Sequence, residues 1–130
     1  MKNLKVFTFL LIVMIYLPSC LGLDEVVYKQ SVRVRLKNNT NNTINLWVEG
    51  ESMNAANLVE PQAIRESVIT ISFNVTNDEF ANPARFSVNA GFNGEAIQST
   101  ICTIDYDPTY NKQERIYPVQ FNSDGAFSGF

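Results

Sequence analysis

The chain has 130 residues, a net charge of −3 and no histidine. After removal of a leader, about 110 residues remain, enough for one domain that buries roughly two-thirds of its extended surface. The mildly acidic balance, without a cluster of Lys and Arg, argues against a nucleic-acid partner and against electrostatic docking on anionic lipid. The lack of histidine removes the commonest general base and the commonest metal ligand.

Residues 1–19 have the layout of a secretory signal peptide. Lys2 and Lys5 form a short positive start, and an apolar run over 6–17 follows them. As a helix this run spans roughly 18 Å, which is shorter than the ~30 Å hydrocarbon core of a membrane. Pro18 then ends the helix. The sequence therefore predicts a helical signal segment.

The motif Leu17-Pro18-Ser19-Cys20 closes this segment and resembles the lipobox of bacterial lipoproteins, in which an aliphatic residue and two small residues precede a cysteine. Pro18 departs from the pattern, since Ala, Ser or Thr is usual there. The resemblance implies that Cys20 receives a diacylglyceryl group and becomes an acylated N-terminus, with fatty acids such as palmitate. Two or more acyl chains anchor a protein stably. The implied location is a bacterial cell membrane or outer membrane, with the lipid as the membrane partner.

Two other fates of this segment stay open. Cys20-Leu21-Gly22 is a small-x-small triplet, so cleavage after Gly22 would give a soluble secreted inhibitor or effector. An uncleaved signal would leave a membrane anchor. Removal of residues 1–19 takes away two lysines and no acid, so the net charge falls from −3 to −5. Residues 20–28 would form a short tether that keeps the domain close to a membrane.

Residues 29–122 alternate apolar and polar side chains, as half-buried strands do. About seven short strands with frequent turn signals predict an all-β fold, a single immunoglobulin-like β-sandwich in the broad sense. The antibody pattern of two cysteines flanking a tryptophan is missing. More loosely, the run from Val32 to Pro61 is similar to small bacterial surface lipoproteins that carry one β-sandwich. We expect residues 123–130 to be a frayed tail, unless Phe127 or Phe130 packs back on the sheet.

Two hairpins are predicted. The first joins the alternating strands around the polar loop Asn38–Asn42, with Leu36 facing Ile44 and Arg33 opposite Trp47 on the other face. The second turns at Asn93-Gly94, the dipeptide that a type I′ turn prefers. Its register pairs core residues across the strands, namely Phe86 with Ile101, Val88 with Ser99 and Ala90 with Ile97. A last strand over 115–121 should lie at a sheet edge because it contains Pro118.

Trp47 and Arg33 are the candidate ligand contacts. A tryptophan on the polar face of a strand suits stacking on a sugar, and the candidate companions are Tyr106, Tyr110 and Tyr117. The alternative is a cation–π pair between Trp47 and Arg33, or burial under a loop or the other sheet. We expect Trp47 to be partly exposed.

No catalytic constellation is found in the sequence. There is no nucleophile elbow, phosphate loop, zinc spacing or dinucleotide fingerprint, so neither an enzyme nor a cofactor is predicted. No pattern in the sequence indicates a pair of carboxylates for glycoside hydrolysis. Cys102 has no partner if Cys20 is lipidated, and we expect a small half-buried hydrophobe there.

Two further motifs have simple structural explanations. Asp105 to Asn111 places oxygen ligands at alternate positions but lacks the glycine and the distal glutamate of a calcium loop, so a strand end and turn is favoured and no metal is predicted. Asn38, Asn41 and Asn74 each begin an N-glycosylation pattern, which is frequent by chance in an Asn-rich chain. The sequence thus predicts a small membrane-anchored, non-catalytic binding or structural module, whose protein or glycan partner it does not identify.

Overall fold

A computed structural model describes residues 26–76 and 80–130, which form a sandwich of two β-sheets. One sheet has five strands in the order β5-β4-β1-β8-β9, and the other has four in the order β3-β2-β6-β7. The strands are β1 (Val26–Asn39), β2 (Ile44–Val48), β3 (Leu58–Val59), β4 (Ile64–Thr76), β5 (Phe80–Ala81), β6 (Ala84–Phe92), β7 (Glu95–Ile104), β8 (Arg115–Asn122) and β9 (Phe127–Ser128). The predicted all-β sandwich is confirmed.

The core lies between the two sheets and follows the alternation of the sequence. Val32, Val34 and Leu36 of β1 are fully buried, and Phe73 of β4 is the largest of the fully buried side chains. The intervening residues of both strands face outward. Alternation therefore predicted the inner faces of β1 and β4 correctly, because successive side chains of a strand point to opposite faces.

The predicted hairpin of β1 and β2 is wrong, because the two strands belong to different sheets. β1 pairs antiparallel with β4 and parallel with β8, whereas β2 pairs antiparallel with β3 and β6. The polar loop after β1 crosses from one sheet to the other. Leu36 and Ile44 still point into the same core, but from opposite sheets. Alternation shows which face of a strand is buried, but it does not show which other strand pairs with it.

The hairpin of β6 and β7 turns at Asn93-Gly94 as predicted, with φ values of +52° and +83°. Its register differs, because a bulge between Ala90 and Gly91 shifts the pairing by one residue. Phe86 consequently pairs with Cys102 rather than with Ile101. A one-residue shift reverses the face of every following side chain. Ser99 and Ile101 therefore point outward, contrary to the prediction.

Both ends of the domain contain more strand than expected. β1 starts at Val26, inside the predicted tether. The tail expected to fray forms β9 instead, which pairs with the end of β8. Ala126 N donates to Asp124 Oδ1 in the connecting turn, and the Phe127 and Phe121 rings lie 5.0 Å apart. β9 reaches only Gln120 and Phe121, so Pro118 has a strand neighbour on one side alone.

The predicted signal segment and Cys20 lie outside the described residues. Among the residues that are described, no helix is long and apolar enough to cross a membrane.

Candidate binding surface on the four-stranded sheet

Trp47 lies on the outer face of the four-stranded sheet. It pairs with Asn89 of β6, which pairs in turn with Ser99 of β7, so an aromatic, an amide and a hydroxyl side chain stand side by side. Ser87 and Ile101 form the next row of this face. We call these residues, together with Gly91 and Met53, the Trp47 surface. Trp47 is half-buried, which confirms the expectation of partial exposure.

The Trp47 indole packs closely on the backbone of β6. A Cβ atom at Gly91 would lie 3.1 Å from Trp47 Cζ3 and 3.0 Å from the carbonyl oxygen of Glu95, and it would also collide with Met53 Sδ. Only glycine leaves room for the ring and the thioether at this point of the strand. The same glycine stands at the bulge, where the strand leaves its regular register. The ring is therefore held in place while part of its surface stays open to solvent.

A hollow of about 510 Å³ adjoins this surface at the β6–β7 turn. It is lined by Thr43, Asn45, Met53, Asn54, Ala55, Leu58, Asn93 and Gly94. Met53 belongs both to the hollow and to the packing around Gly91. The lining combines apolar side chains with amide and hydroxyl groups and contains no charged residue. Such a surface suits an uncharged polar ligand that also presents apolar patches.

A network of asparagines forms the floor of the hollow. Asn45 Nδ2 donates to Asn57 Oδ1 at 2.8 Å and to the carbonyl oxygen of Asn54 at 2.7 Å. Asn57 Nδ2 donates in turn to the carbonyl oxygen of Ser52 at 2.7 Å. Asn54 caps the single 3-10 turn Ala55–Asn57, with its side-chain oxygen accepting from Ala56 N. Because both Asn45 and Asn57 are buried, these bonds fix the segment between β2 and β3 in one shape.

Arg33 lies on the opposite side of the molecule. It occupies the outer face of the five-stranded sheet, where it forms ion pairs with Glu66 at 2.8 Å and with Glu114 at 2.6 Å. Hydrogen bonds from Arg35 and Arg33 lower the pKa of Glu66 below its ordinary value. The predicted pairing of Arg33 with Trp47 is wrong, because it depended on the β1–β2 hairpin. One small ligand therefore cannot contact both Arg33 and Trp47.

The tyrosines suggested as companions of Trp47 lie elsewhere. Tyr106 packs against Phe73, with ring centroids 5.4 Å apart, and Tyr117 packs edge-on against Phe86 at 5.3 Å. Tyr110 lies under the guanidinium of Arg115, in the turn before β8. The aromatic part of the Trp47 surface is thus Trp47 itself.

Two other candidate sites have structural roles. Cys102 is buried and unbonded to another cysteine, and burial raises the pKa of its thiol, as in an unreactive core cysteine. The segment Asp105–Asn111 ends in a 3-10 turn that Asp107 caps by accepting from Thr109 N at 2.9 Å. Gln30 Nε2 donates to the carbonyl oxygen of Asp107 and to Asn111 Oδ1, both at 2.7 Å. The predicted strand end and turn is confirmed.

The part of the chain that the structure describes contains no group of three or more His, Cys, Asp or Glu residues arranged to hold a metal ion.

The sequence pointed to Trp47 but not to the residues that build a site around it. Gly91 gave a usable signal, because an isolated glycine inside a strand pattern suggests a bulge or a close approach. Met53, Asn45 and Asn57 gave none, since their roles depend on the crossing between sheets. No family model, curated protein or solved structure matches this chain.

Proposed function

We propose that the protein is a small lipid-anchored component of a bacterial envelope, and that its sandwich is a non-catalytic binding module. The observation that carries this proposal is the lipobox-like motif ending at Cys20, followed within six residues by the first strand. Six residues of extended chain span roughly 20 Å at most. A lipidated Cys20 would hold the Val26 end of the sandwich close to the membrane surface.

The direction of β1 gives the anchored protein a defined orientation. Its 14 residues span roughly 43 Å at about 3.3 Å per residue, from Val26 to Asn39. The hollow is lined by Thr43, which directly precedes β2, and by the Asn93-Gly94 turn, so it belongs to the Asn39 end. A lipid at Cys20 would therefore turn the hollow away from the membrane. This orientation suits the recognition of a partner outside the lipid surface.

Lipidation is tested by growing cells that express the whole chain with a labelled fatty acid. We expect the native chain to take up label, and the Cys20→Ser variant to lose it and leave the membrane fraction. Cys102→Ser is the matched control and should keep both label and location. Label that survives in Cys20→Ser would contradict the proposal. An exported chain that begins at Leu23 would instead identify a soluble secreted protein cleaved after Gly22.

A glycan is the ligand class that the Trp47 surface favours. The apolar C–H face of a sugar ring can stack on a partly exposed indole, while its hydroxyls bond to uncharged amides and hydroxyls. Trp47 has Asn89 and Ser99 beside it, and the hollow adds Asn93. Because the asparagine network already fixes the segment under the hollow, little conformational entropy would be lost there when a ligand binds.

This second proposal predicts that Trp47→Ala abolishes binding on a glycan array. Truncation of a buried aromatic anchor typically costs 2 kcal/mol or more, so the affinity should fall by more than about tenfold. Tyr110→Ala removes a partly exposed aromatic side chain far from the Trp47 surface and should leave binding unchanged. Unaltered thermal unfolding would show that each variant is folded. Binding that survives Trp47→Ala, or a native chain that binds no glycan, would contradict the proposal of a glycan ligand. Neither result would affect the proposal that Cys20 is lipidated.

A further inference from the structure

The outer face of the five-stranded sheet carries a row of basic side chains along β1. They alternate with buried residues and therefore share one side of the strand. β4 and β8 lie on either side of β1 in this sheet. We call the outward-facing side chains of these three strands, together with Glu114, the basic face. Its basic members are Lys29, Arg33, Arg35 and Lys37.

The basic face is positive although the chain is acidic. Four basic side chains stand there with Glu66 and Glu114, which gives +2, whereas the other described residues have four basic and seven acidic side chains. The balance of the whole chain argues against docking on anionic lipid, but it hides this separation. The acids of the other sheet lie about 10 Å or more from the basic face, and the Debye length at physiological salt is about 8 Å. Their repulsion is therefore screened at a surface that meets this face.

Four exposed aliphatic side chains lie among the charges of the basic face. Their exposed fractions are 50–53%, and they are Val27, Ile64, Val68 and Ile116. Val68 and Ile116 flank Arg33 on its two sides, and Ile64 is opposite Lys37. Cations with aliphatic side chains between them are typical of a surface that lies on anionic lipid. The cations meet the headgroups, and the apolar groups enter the boundary below them.

The excess positive charge is on the two lysines of the basic face. Its two arginines hold its two acidic residues in ion pairs of 2.6–2.8 Å. Lys29 and Lys37 take part in none of the ion pairs of the described residues. They are eight residues apart on β1, roughly 26 Å at about 3.3 Å per residue. A cation near each end favours flat contact of the whole face with a negative surface.

We propose that the basic face lies on the anionic headgroups of the membrane that holds Cys20. This inference rests on the proposed lipid anchor and adds which side of the sandwich meets the lipid. The tether joins β1 at Val26 and spans roughly 20 Å at most, so it keeps the face within reach of the headgroups. Val27 stands at the end of the face next to the tether. The Trp47 surface belongs to the other sheet and would point away from the lipid.

Thiol labelling on vesicles tests which side meets the lipid. The whole lipidated chain is purified in detergent and inserted into preformed vesicles of phosphatidylcholine, alone or mixed equally with phosphatidylglycerol. Thr70→Cys stands on the basic face opposite Ser31, and Ser99→Cys stands on the other sheet; both positions are exposed. A membrane-impermeant maleimide should modify Thr70→Cys at least about fivefold more slowly in the anionic vesicles than in the neutral ones. Ser99→Cys should react at the same rate in both, and the native chain, whose Cys102 is buried, should stay unlabelled.

Charge reversal identifies the groups responsible. Lys29→Glu combined with Lys37→Glu turns the face negative and should return the labelling of Thr70→Cys to its rate in neutral vesicles. Arg85→Glu combined with Lys112→Glu is the matched control, because it changes the whole-chain charge equally at two exposed positions outside the face. This control should keep the protection. Protection that survives the lysine reversal, or that the control also loses, would overturn the proposal.

Flotation of the vesicles separates this inference from the lipid anchor. A chain that floats with neither kind of vesicle lacks the anchor, and both proposals fall. A chain that floats with both, while Thr70→Cys reacts equally in both, overturns the orientation alone. Thr70→Cys that is already protected in detergent would show that another protein or a second copy covers the face, which also overturns it. An unchanged Trp47 emission spectrum confirms that each variant is folded.

Discussion

Replacing Asn38 by Ala is expected to lower the free energy of unfolding by about 3–4 kcal/mol. The side chain is fully buried at the point where the chain leaves β1 for the other sheet. Its Nδ2 donates to the carbonyl oxygens of Asn42 and Val59, at 2.7 and 2.8 Å. Its Oδ1 accepts from the backbone N and the hydroxyl of Thr40, at 3.0 and 2.7 Å. Alanine would leave the Val59 carbonyl and the Thr40 N–H without these partners in a buried place.

Urea denaturation of Asn38→Ala beside Asn41→Ala measures this effect. Asn41 is exposed in the loop that follows β1, and its replacement should change stability by less than about 0.5 kcal/mol. Asn38→Asp keeps an acceptor for Thr40 but loses the donor to Val59 and buries a charge, so it should be at least as destabilised as Asn38→Ala. Equal stability of Asn38→Ala and Asn41→Ala would refute the role of Asn38. In the folded protein the N-glycosylation pattern at Asn38 has a structural explanation, because both hydrogens of the Asn38 amide are used in hydrogen bonds.

The position of Asn38 also explains why the first hairpin was mispredicted. A polar loop between two alternating strands fits a hairpin and a crossing between sheets equally well. Both arrangements bury Leu36 and Ile44 in one core. What selects the crossing is a buried amide that bonds to Val59, a residue 21 positions away on β3. No local pattern in the sequence contains that bond.

The register of β7 could not be predicted for a related reason. Asn93-Gly94 predicted the turn correctly, and uninterrupted pairing from there would have buried Ile97 and Ile101. The bulge at Ala90/Gly91 adds one residue and instead buries Cys102 and Ile104. Two isoleucines were thus mistaken for core residues.

The candidate site was predictable as a single residue rather than as a surface. Alternation places Trp47 between the buried residues Leu46 and Val48, and its partial exposure follows. Asn89 and Ser99 become its neighbours only through the pairing of β2, β6 and β7. Arg33 was expected beside it because the wrong pairing was assumed.

Replacing Gly91 by Val is expected to lower the free energy of unfolding by about 2–3 kcal/mol and to shift the Trp47 emission to longer wavelength. The φ angle of Gly91 is not in the left-handed region, so the constraint is space rather than backbone conformation. An added side chain would press on the indole and push it toward solvent. Gly129→Val is the matched control, since a Cβ there meets nothing within 4 Å. Equal stability of both variants, with an unchanged emission spectrum, would contradict this account.

The double variant Gly91→Val with Met53→Ala shows which neighbour of Gly91 limits the space at this position. The Met53 thioether is the end of a flexible side chain and can move, whereas the Glu95 carbonyl belongs to the backbone next to the two-residue turn. If the thioether alone were limiting, its removal would restore both stability and emission. We expect only partial recovery, because the Glu95 carbonyl and the indole still occupy the space. The emission of Trp47 then reports whether a rigid turn, rather than a loose side chain, holds the ring in the position from which we propose that it binds.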